Sequence, residues 1–149
     1  MQKKDLNILL AEDDPDDCIF FEQALKGIDG TYRLTSVDDG EQLMRLLNDP
    51  SVILSDVLFL NLSMPRKSGF ECISEIKRSN RLEFLPIVIF STSYEEQIVN
   101  DLYISGVSLL IRKPSEFSQL KKVIDKSLTL ICNNDYLRPS LENFVLTTD

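Results

Sequence analysis

Residues 8–14, ILLAEDD, are a short apolar run that ends in three acids, and they indicate the class of fold. Short, continuous apolar runs between polar residues are typical of strands in a parallel sheet that is covered on both faces. The sequence predicts five strands, most of them continuous apolar runs of this kind, at residues 6–11, 32–37, 57–60, 87–90 and 107–111.

Amphipathic segments separate these runs and predict five helices. In the first of them, Cys18, Phe21 and Leu25 recur at helical spacing. Helix-start signals support the pattern: an Asp-Pro pair at residues 14–15, and Ser-x-x-Glu capping boxes at residues 68–71 and 93–96. The alternation predicts an α/β domain with a doubly wound five-stranded parallel sheet over residues 1–132. Residues 133–149 are expected to form a C-terminal tail with a short helix near residues 140–145.

Composition excludes several classes of function. With 149 residues, 43% hydrophobic and 27% charged, the chain has the make-up of one globular domain. Its net charge of −8 disfavours nucleic acid or an anionic membrane as a direct partner. No apolar stretch would span a bilayer and no signal peptide is visible, so we expect a cytoplasmic protein. Its three cysteines are far apart in the sequence and form no C-x-x-C pair, so we expect them to be reduced. The lack of histidine excludes Ser-His-Asp catalysis and histidine-bound metals.

Polar residues capable of chemistry follow the predicted strands. The carboxyl ends of parallel strands meet at one edge of a doubly wound sheet, so these side chains should converge there. Carboxylates bind Mg²⁺, while a hydroxyl and an ammonium bind phosphoryl oxygens. The pattern therefore indicates a site for magnesium-assisted phosphoryl transfer. Its candidate members are Glu12, Asp13, Asn61, Ser91, Thr92 and Lys113.

Four motifs occur in an order that resembles the receiver domain of two-component response regulators, over about the first 130 residues. They are LLAEDDP (9–15), LSMPRKSGFE (62–71), IVIFSTS (87–93) and LLIRKP (109–114). The resemblance implies a (βα)5 flavodoxin-like receiver fold and a non-enzymatic role in a phosphorelay. It also implies a sensor histidine kinase or phosphorelay protein as a partner. No effector domain is visible after the receiver pattern, so we expect output through protein contact.

The resemblance also assigns roles in metal binding. It implies that Asp13 is a direct Mg²⁺ ligand and that Glu12 acts through water. Ser63 falls where a backbone carbonyl of the family ligates the metal.

Phosphoryl contacts are implied in the same way. Ser91 falls at the family's switch Ser or Thr, and Thr92 comes just after it. Lys113 falls on the lysine that contacts the phosphoryl group, before a proline, here Pro114, that is often cis in the family.

Asn61 departs from the family pattern, because the family has its phosphorylated aspartate there. Pro65 and Gly69 fix this register at the family spacing. An amide is a poor nucleophile and carries no charge, so phosphorylation at residue 61 is not expected and Mg²⁺ should bind only weakly. Asp56 is the alternative acceptor, although it lies before the apolar run.

Leu110 is a second departure, since the family often has an aromatic switch residue there. The resemblance implies that residues 94–132 form the working surface. The apolar stripe over residues 116–132 suits both the core and a dimer interface, so a homodimer through residues 94–132 is one expected assembly. Tyr103 and Phe117 are the candidate aromatic anchors of the working surface.

Other functions remain as alternatives. A haloacid dehalogenase-type phosphatase requires Asp-x-Asp after the first strand, where this chain has Glu12 at the nucleophile position. A flavodoxin-like electron carrier requires a phosphate loop at that place, and an acidic loop would repel the flavin phosphate. The acidic cluster also has a simpler explanation, because acids are common at a helix N-terminus. Three of its members, Asp14, Asp16 and Asp17, are assigned to that role.

Overall fold

The computed structural model describes residues 5–92, 95–133 and 140–147, in which strands and helices alternate. The strands are β1 (Leu6–Ala11), β2 (Tyr32–Val37), β3 (Val57–Asn61), β4 (Ile87–Ser91), β5 (Leu109–Arg112) and β6 (Val145–Leu146). The helices are α1 (Pro15–Lys26), α2 (Gly40–Leu47), α3 (Gly69–Lys77), α4 (Glu96–Ser105), α5 (Phe117–Asn133) and α6 (Leu141–Phe144). No helix in these described segments is both long enough and apolar enough to cross a bilayer.

One parallel sheet contains all of these strands, in the order β2-β1-β3-β4-β5-β6. This arrangement confirms the predicted doubly wound fold, with one short strand more than the five that were predicted. The additional strand, β6, has two residues and pairs with β5, with Leu110 opposite Val145. A two-residue strand is too short to leave a periodic pattern in the sequence.

Two apolar layers cover the faces of the sheet. On one face α1 and α5 pack over strand residues such as Leu10, Phe59 and Phe90. The other face is covered by α2, α3, α4 and α6, which pack over strand residues that include Leu9 and Leu60. Because neighbouring residues of a strand point to opposite faces, the central strands are apolar throughout and their polar residues are confined to the ends.

Two of the predicted helix starts are confirmed. Asp14 caps α1, where its carboxylate accepts two backbone N–H groups of the first turn, and Pro15 is the first helical residue. Ser68 and Glu71 form a complete capping box at α3. Each cap fixes the direction in which its helix leaves the carboxyl edge of the sheet.

The third predicted start, at residues 93–96, lies partly outside the described residues, because Ser93 and Tyr94 are not among them. The described helix α4 begins at Glu96, with Glu95 as its N-cap and no side-chain hydrogen bond to the cap.

Residues 140–147 pack against α4 and β5. Phe144 of α6 is fully buried, and its ring meets the ring of Tyr103 edge to face, with centroids 5.3 Å apart. Tyr103 is therefore half-buried, and its interpretation as an exposed anchor is wrong. The reason is that the chain's own C-terminal segment covers it, whereas Phe117 remains 46% exposed.

Candidate functional site

Four side chains from three strand ends meet at the carboxyl edge of the sheet. Lys113 Nζ lies 2.7 Å from Glu12 Oε1. Asn61 Nδ2 donates to Glu12 Oε2 at 2.7 Å and to Asp13 Oδ1 at 3.1 Å. The predicted convergence of Glu12, Asp13, Asn61 and Lys113 is therefore present in the structure.

Glu12 is the centre of this network. It is only 4% exposed, and a buried carboxylate is costly unless hydrogen bonds replace its lost water. Both of its oxygens have partners: Oε1 accepts from Lys113, and Oε2 accepts from Asn61 and from the backbone N–H of Asp14 at 3.3 Å. These contacts hold the carboxylate in one position.

The side-chain amide of Asn61 has only one orientation that suits its neighbours. Its Oδ1 accepts from the Ser63 backbone N–H at 3.3 Å, while Nδ2 faces the two carboxylates. A backbone N–H only donates and an ionised carboxylate only accepts, so turning the amide over would lose all three bonds. The amide thus supplies two donors between Glu12 and Asp13, where an aspartate would add a third negative charge.

Asp17 is a member of the site that sequence reasoning missed. Its Oδ2 lies 3.2 Å from Lys113 Nζ, although the sequence assigned Asp17 only to the start of α1. The signal for this role was its position four residues after Asp13, on the first turn of a helix that begins at the carboxyl edge. That signal required knowing where the helix starts.

The charge of Lys113 is stabilised in place. Burial by itself would lower the pKa of this ammonium. Its hydrogen bond to Glu12 and the charges of Glu12 and Asp17 outweigh burial and hold the pKa of Lys113 above its ordinary value. The lysine is therefore protonated throughout the physiological pH range.

The predicted residues at the end of β4 differ in their positions. Ser91 is buried at 8% exposure, and its carbonyl accepts the backbone N–H of Lys113 at 3.0 Å, which joins the two strand ends. Thr92 is exposed beyond the strand. The described residues contain no cis peptide bond, so the Lys113–Pro114 bond is trans, unlike the form common in the family.

Asp56, the alternative acceptor, lies at the opposite end of β3 from Asn61. Its Oδ2 accepts the Asn7 backbone N–H at 2.8 Å, and its own N–H donates to the Asn7 carbonyl at 2.8 Å. Asp56 thus pairs the amino-terminal ends of β1 and β3 and does not join the acidic network.

Close backbone contact fixes the loop that follows Asn61. The Gly69 N–H donates to the Leu62 carbonyl at 2.9 Å. A Cβ at Gly69 would come within 2.7 Å of the Leu62 Cα and 2.9 Å of the Asn61 carbonyl oxygen, so no larger residue fits without movement of the backbone. This contact explains the glycine eight residues after Asn61.

An ion pair ties the same loop to α2. Arg66 has a φ of 68°, in the left-handed region that non-glycine residues seldom adopt, and its Nη1 lies 2.8 Å from Asp39 Oδ2. Asp39 also accepts the Gln42 N–H at 2.8 Å, and this hydrogen bond lowers the pKa of Asp39. Burial opposes the shift, while the hydrogen bond and charge of Arg66 add to it. The loop carrying Ser63 is therefore held from both sides.

The site fits a divalent cation only in part. Glu12 and Asp13 supply the hard oxygens that Mg²⁺ prefers, but the group of Asn61 that faces them is an N–H donor, which cannot ligate a cation. Within the described residues, no three His, Cys, Asp or Glu side chains are grouped to hold a metal. Metal entry would require Asn61 to rotate and give up its hydrogen bonds.

Comparisons with known proteins agree with this geometry. The family model of the response regulator receiver domain matches residues 8–125. The probable methanogenesis regulatory protein FilR2 of Methanothrix harundinacea (strain 6Ac) is 30% identical over 122 residues, which span 80% of this chain and 79% of that protein.

Two solved structures share the fold over most of the chain. The Mn²⁺-bound form of response regulator Rcp1 superposes with a TM-score of 0.77 at 25% identity, covering 91% of this chain and 99% of that one. The phosphorylated cyanobacterial phytochrome response regulator RcpA gives a TM-score of 0.78 at 27% identity, with the same coverage. These matches favour a receiver over the phosphatase and the electron carrier. From its sheet, its acidic edge and these relatives, the chain belongs to the receiver-domain family of two-component response regulators.

Proposed function

We propose that this chain is a receiver that acts by binding protein partners and takes no phosphoryl group at residue 61. The observation that carries the proposal is the pair of hydrogen bonds from Asn61 Nδ2 to Glu12 and Asp13. An amide nitrogen in this position offers the incoming phosphorus no carboxylate oxygen, so the acyl phosphate cannot form by the usual route. The proposed role is non-enzymatic.

The same contacts support a fixed state of the site. Lys113 is bound to Glu12 and Asp17, and Asn61 is bound to both acids and to the Ser63 N–H. A phosphoryl group would have to displace these bonds without an acceptor to hold it. A partner would therefore meet the same surface in the presence and absence of a phosphodonor.

The partners fall into one class by analogy with relatives. A sensor histidine kinase or a phosphorelay protein is the proposed input partner, since solved neighbours are described as phytochrome response regulators. We place this interaction in the cytoplasm. Residues 94–132 are the proposed contact and homodimer surface, with Phe117 as its exposed anchor.

Weak binding of Mg²⁺ is part of the proposal. A neighbouring structure is described as Mn²⁺-bound, and this chain brings the carboxylates of Glu12 and Asp13 together on the Asn61 amide. Asp13 would hold the cation directly, with Glu12 acting through water, the Ser63 carbonyl as a further ligand and Asn61 beside them. When bound, a divalent cation would neutralise carboxylate charge at the edge of the sheet. Because residue 61 carries no charge, affinity should be low.

Labelling with acetyl phosphate and Mg²⁺ tests the proposal. Intact mass spectrometry should show no adduct on the unaltered chain, whereas Asn61→Asp should gain one phosphoryl group that hydroxylamine removes. Asp56→Asn is the matched control and should change neither result. A hydroxylamine-sensitive adduct on the unaltered chain that disappears in Asp56→Asn would overturn the proposal.

A further inference from the structure

A pocket of about 320 Å³ opens between α1 and α5, directly beside the acidic network. Its floor is formed by three buried side chains, Leu10, Phe21 and Phe90, each no more than 4% exposed. Two exposed rings flank it: Phe20 on α1 at 47% exposure and Phe117 on α5 at 46%. We call this feature the α1–α5 pocket.

Exposed apolar side chains are common on protein surfaces, and what distinguishes Phe20 and Phe117 is the cavity that both of them line. Phe20 and Phe117 expose nearly half of their surface next to a concave, preformed site, which is where proteins place small-molecule pockets. The volume lies at the lower end of the range for such pockets, roughly 300–1,000 Å³. An occupant must therefore be small.

The polar end of the pocket selects the charge of that occupant. Glu12, Asp17 and Glu116 contribute three carboxylates to the lining, against the single ammonium of Lys113. The local charge is therefore negative even after the Lys113 ion pairs are counted. An anion would be repelled here, while a cation would gain both from the carboxylates and from the faces of the aromatic rings.

We propose that the α1–α5 pocket binds a small organic cation with an aromatic or aliphatic body, such as a primary amine. The body occupies the space above Phe21 and Phe90, between Phe20 and Phe117, and the ammonium faces Asp17 and Glu116. Because Asp17 also accepts from Lys113, such a ligand competes with the lysine for the Asp17 carboxylate and so acts on the acidic network from the side. The inference goes beyond the proposed function and does not depend on phosphorylation at residue 61.

Three matched probes test this inference by NMR: 2-phenylethylamine, 2-phenylethanol and phenylacetate. In ¹H–¹⁵N spectra, the amine should give saturable shifts for amides near Phe20, Glu116 and Phe117, with an affinity in the millimolar range. The neutral alcohol should bind several-fold more weakly, and the anionic acid should give no saturable shift.

Two phenylalanine variants locate the binding. Phe117→Ala should weaken binding of the amine by about fivefold, because one of the two flanking rings is lost. Phe70→Ala is the control, since Phe70 is 43% exposed but lies on α3, away from the pocket, and binding should be unchanged. Phe20→Ala repeats the test on the other wall, and melting curves verify that each variant is folded.

Several results would overturn the inference. These are the absence of saturable shifts with the amine, equal binding of phenylacetate, or amine binding that both Phe117→Ala and Phe20→Ala leave unchanged. Equal weakening in Phe70→Ala would show that the amine binds elsewhere and would overturn it as well.

Discussion

The two sides of the sheet next to the site differ in what covers them. On the α1–α5 side, Phe20 and Phe117 stand half exposed around an open pocket, and polar contacts fix Glu12 and Lys113 at its end. On the α4–β5 side, residues 140–147 cover β5 and Tyr103, with β6 along β5 and Phe144 buried against the Tyr103 ring, while Ile104 of α4 stays exposed. The acidic network and the α1–α5 pocket are thus together on one side, while on the other side the C-terminal segment packs over β5 and Tyr103.

This difference separates two kinds of stabilisation. The closed side depends on burial of apolar surface, which contributes about 25 cal/mol per Å². The open side depends on hydrogen bonds and ion pairs that compensate a buried carboxylate, and these are costly mainly when one partner is removed. Aromatic side chains alone therefore do not identify the working surface: Tyr103 is covered by the chain itself, while Phe20 and Phe117 remain available.

The largest effect is expected on the closed side, from Phe144→Ala. Loss of a fully buried ring should lower the free energy of unfolding by about 3 kcal/mol, a loss that detachment of the tail would limit. Phe117→Ala, on the open side, should cost less than about 1 kcal/mol. Urea unfolding measures both, and hydrogen exchange should show faster exchange at amides where β5 meets β6. Equal effects of the two substitutions would contradict the comparison.

Lys113→Met should have the next largest effect, because it leaves Glu12 buried without its cation. We expect the free energy of unfolding to fall by about 2 kcal/mol. This is less than for a fully buried ion pair, since the lysine side chain is 20% exposed. Arg33→Met, which breaks an exposed pair with Asp5, is the control and should cost less than about 1 kcal/mol.

The stability difference between the unaltered chain and Lys113→Met should depend on pH, which gives a second measure of the ion pair between Lys113 and Glu12. Because the folded state raises the pKa of Lys113, its stabilisation is complete below the ordinary lysine pKa of 10.5 and is lost as pH rises through the folded value. Urea unfolding should show the gap between the unaltered chain and Lys113→Met narrowing in strong alkali. A constant gap would mean that the lysine stabilises through packing of its stem.

Asn61→Asp should have an intermediate effect that depends on metal. Without metal, a carboxylate facing Glu12 and Asp13 should lower the free energy of unfolding by about 1.5 kcal/mol, and Mg²⁺ should restore it. The unaltered chain should show little change with Mg²⁺, and Asp13→Ala should weaken binding in both backgrounds. Calorimetric titration with Mg²⁺ measures the affinities. Equal affinities of the unaltered chain and the Asn61→Asp variant would contradict the role given to the amide.

Asp13→Ala alone should have the smallest effect. Asp13 is exposed and accepts one hydrogen bond from Asn61, and its removal also relieves repulsion with Glu12. In metal-free buffer we expect the free energy of unfolding to stay the same or to rise slightly, by no more than about 1 kcal/mol. A large drop in melting temperature would show that Asp13 has a structural role.

Sequence reasoning recovers the parts of this molecule that depend on local patterns. The five longer strands are read from short runs that are mostly apolar, and the starts of α1 and α3 are read from Asp14 and Ser68. Convergence of Glu12, Asn61 and Lys113 follows because parallel strands end at one edge. These features need only periodicity, capping and chain direction.

The remaining features depend on contacts between distant segments. Nothing in a two-residue strand marks β6, and the burial of Phe144 depends on where α4 places Tyr103. The ion pair of Asp17 with Lys113 depends on the direction in which α1 leaves the sheet. The orientation of the Asn61 amide depends on the Ser63 N–H, which the following loop holds in position. Such features become visible only in three dimensions.

The short strand β6 has a consequence for the nascent chain. Residues 140–147 follow α5, so they leave the ribosome after β5 and all the elements before it have emerged. Until then β5 is an edge strand whose free N–H and C=O groups can pair with another polypeptide. Slow translation between β5 and β6 would lengthen this exposure, and crowded polysomes would bring neighbouring nascent chains close. Once residues 140–147 have emerged, β6 can pair with Leu110 and Ile111 and reduce the length of β5 that is open to such pairing.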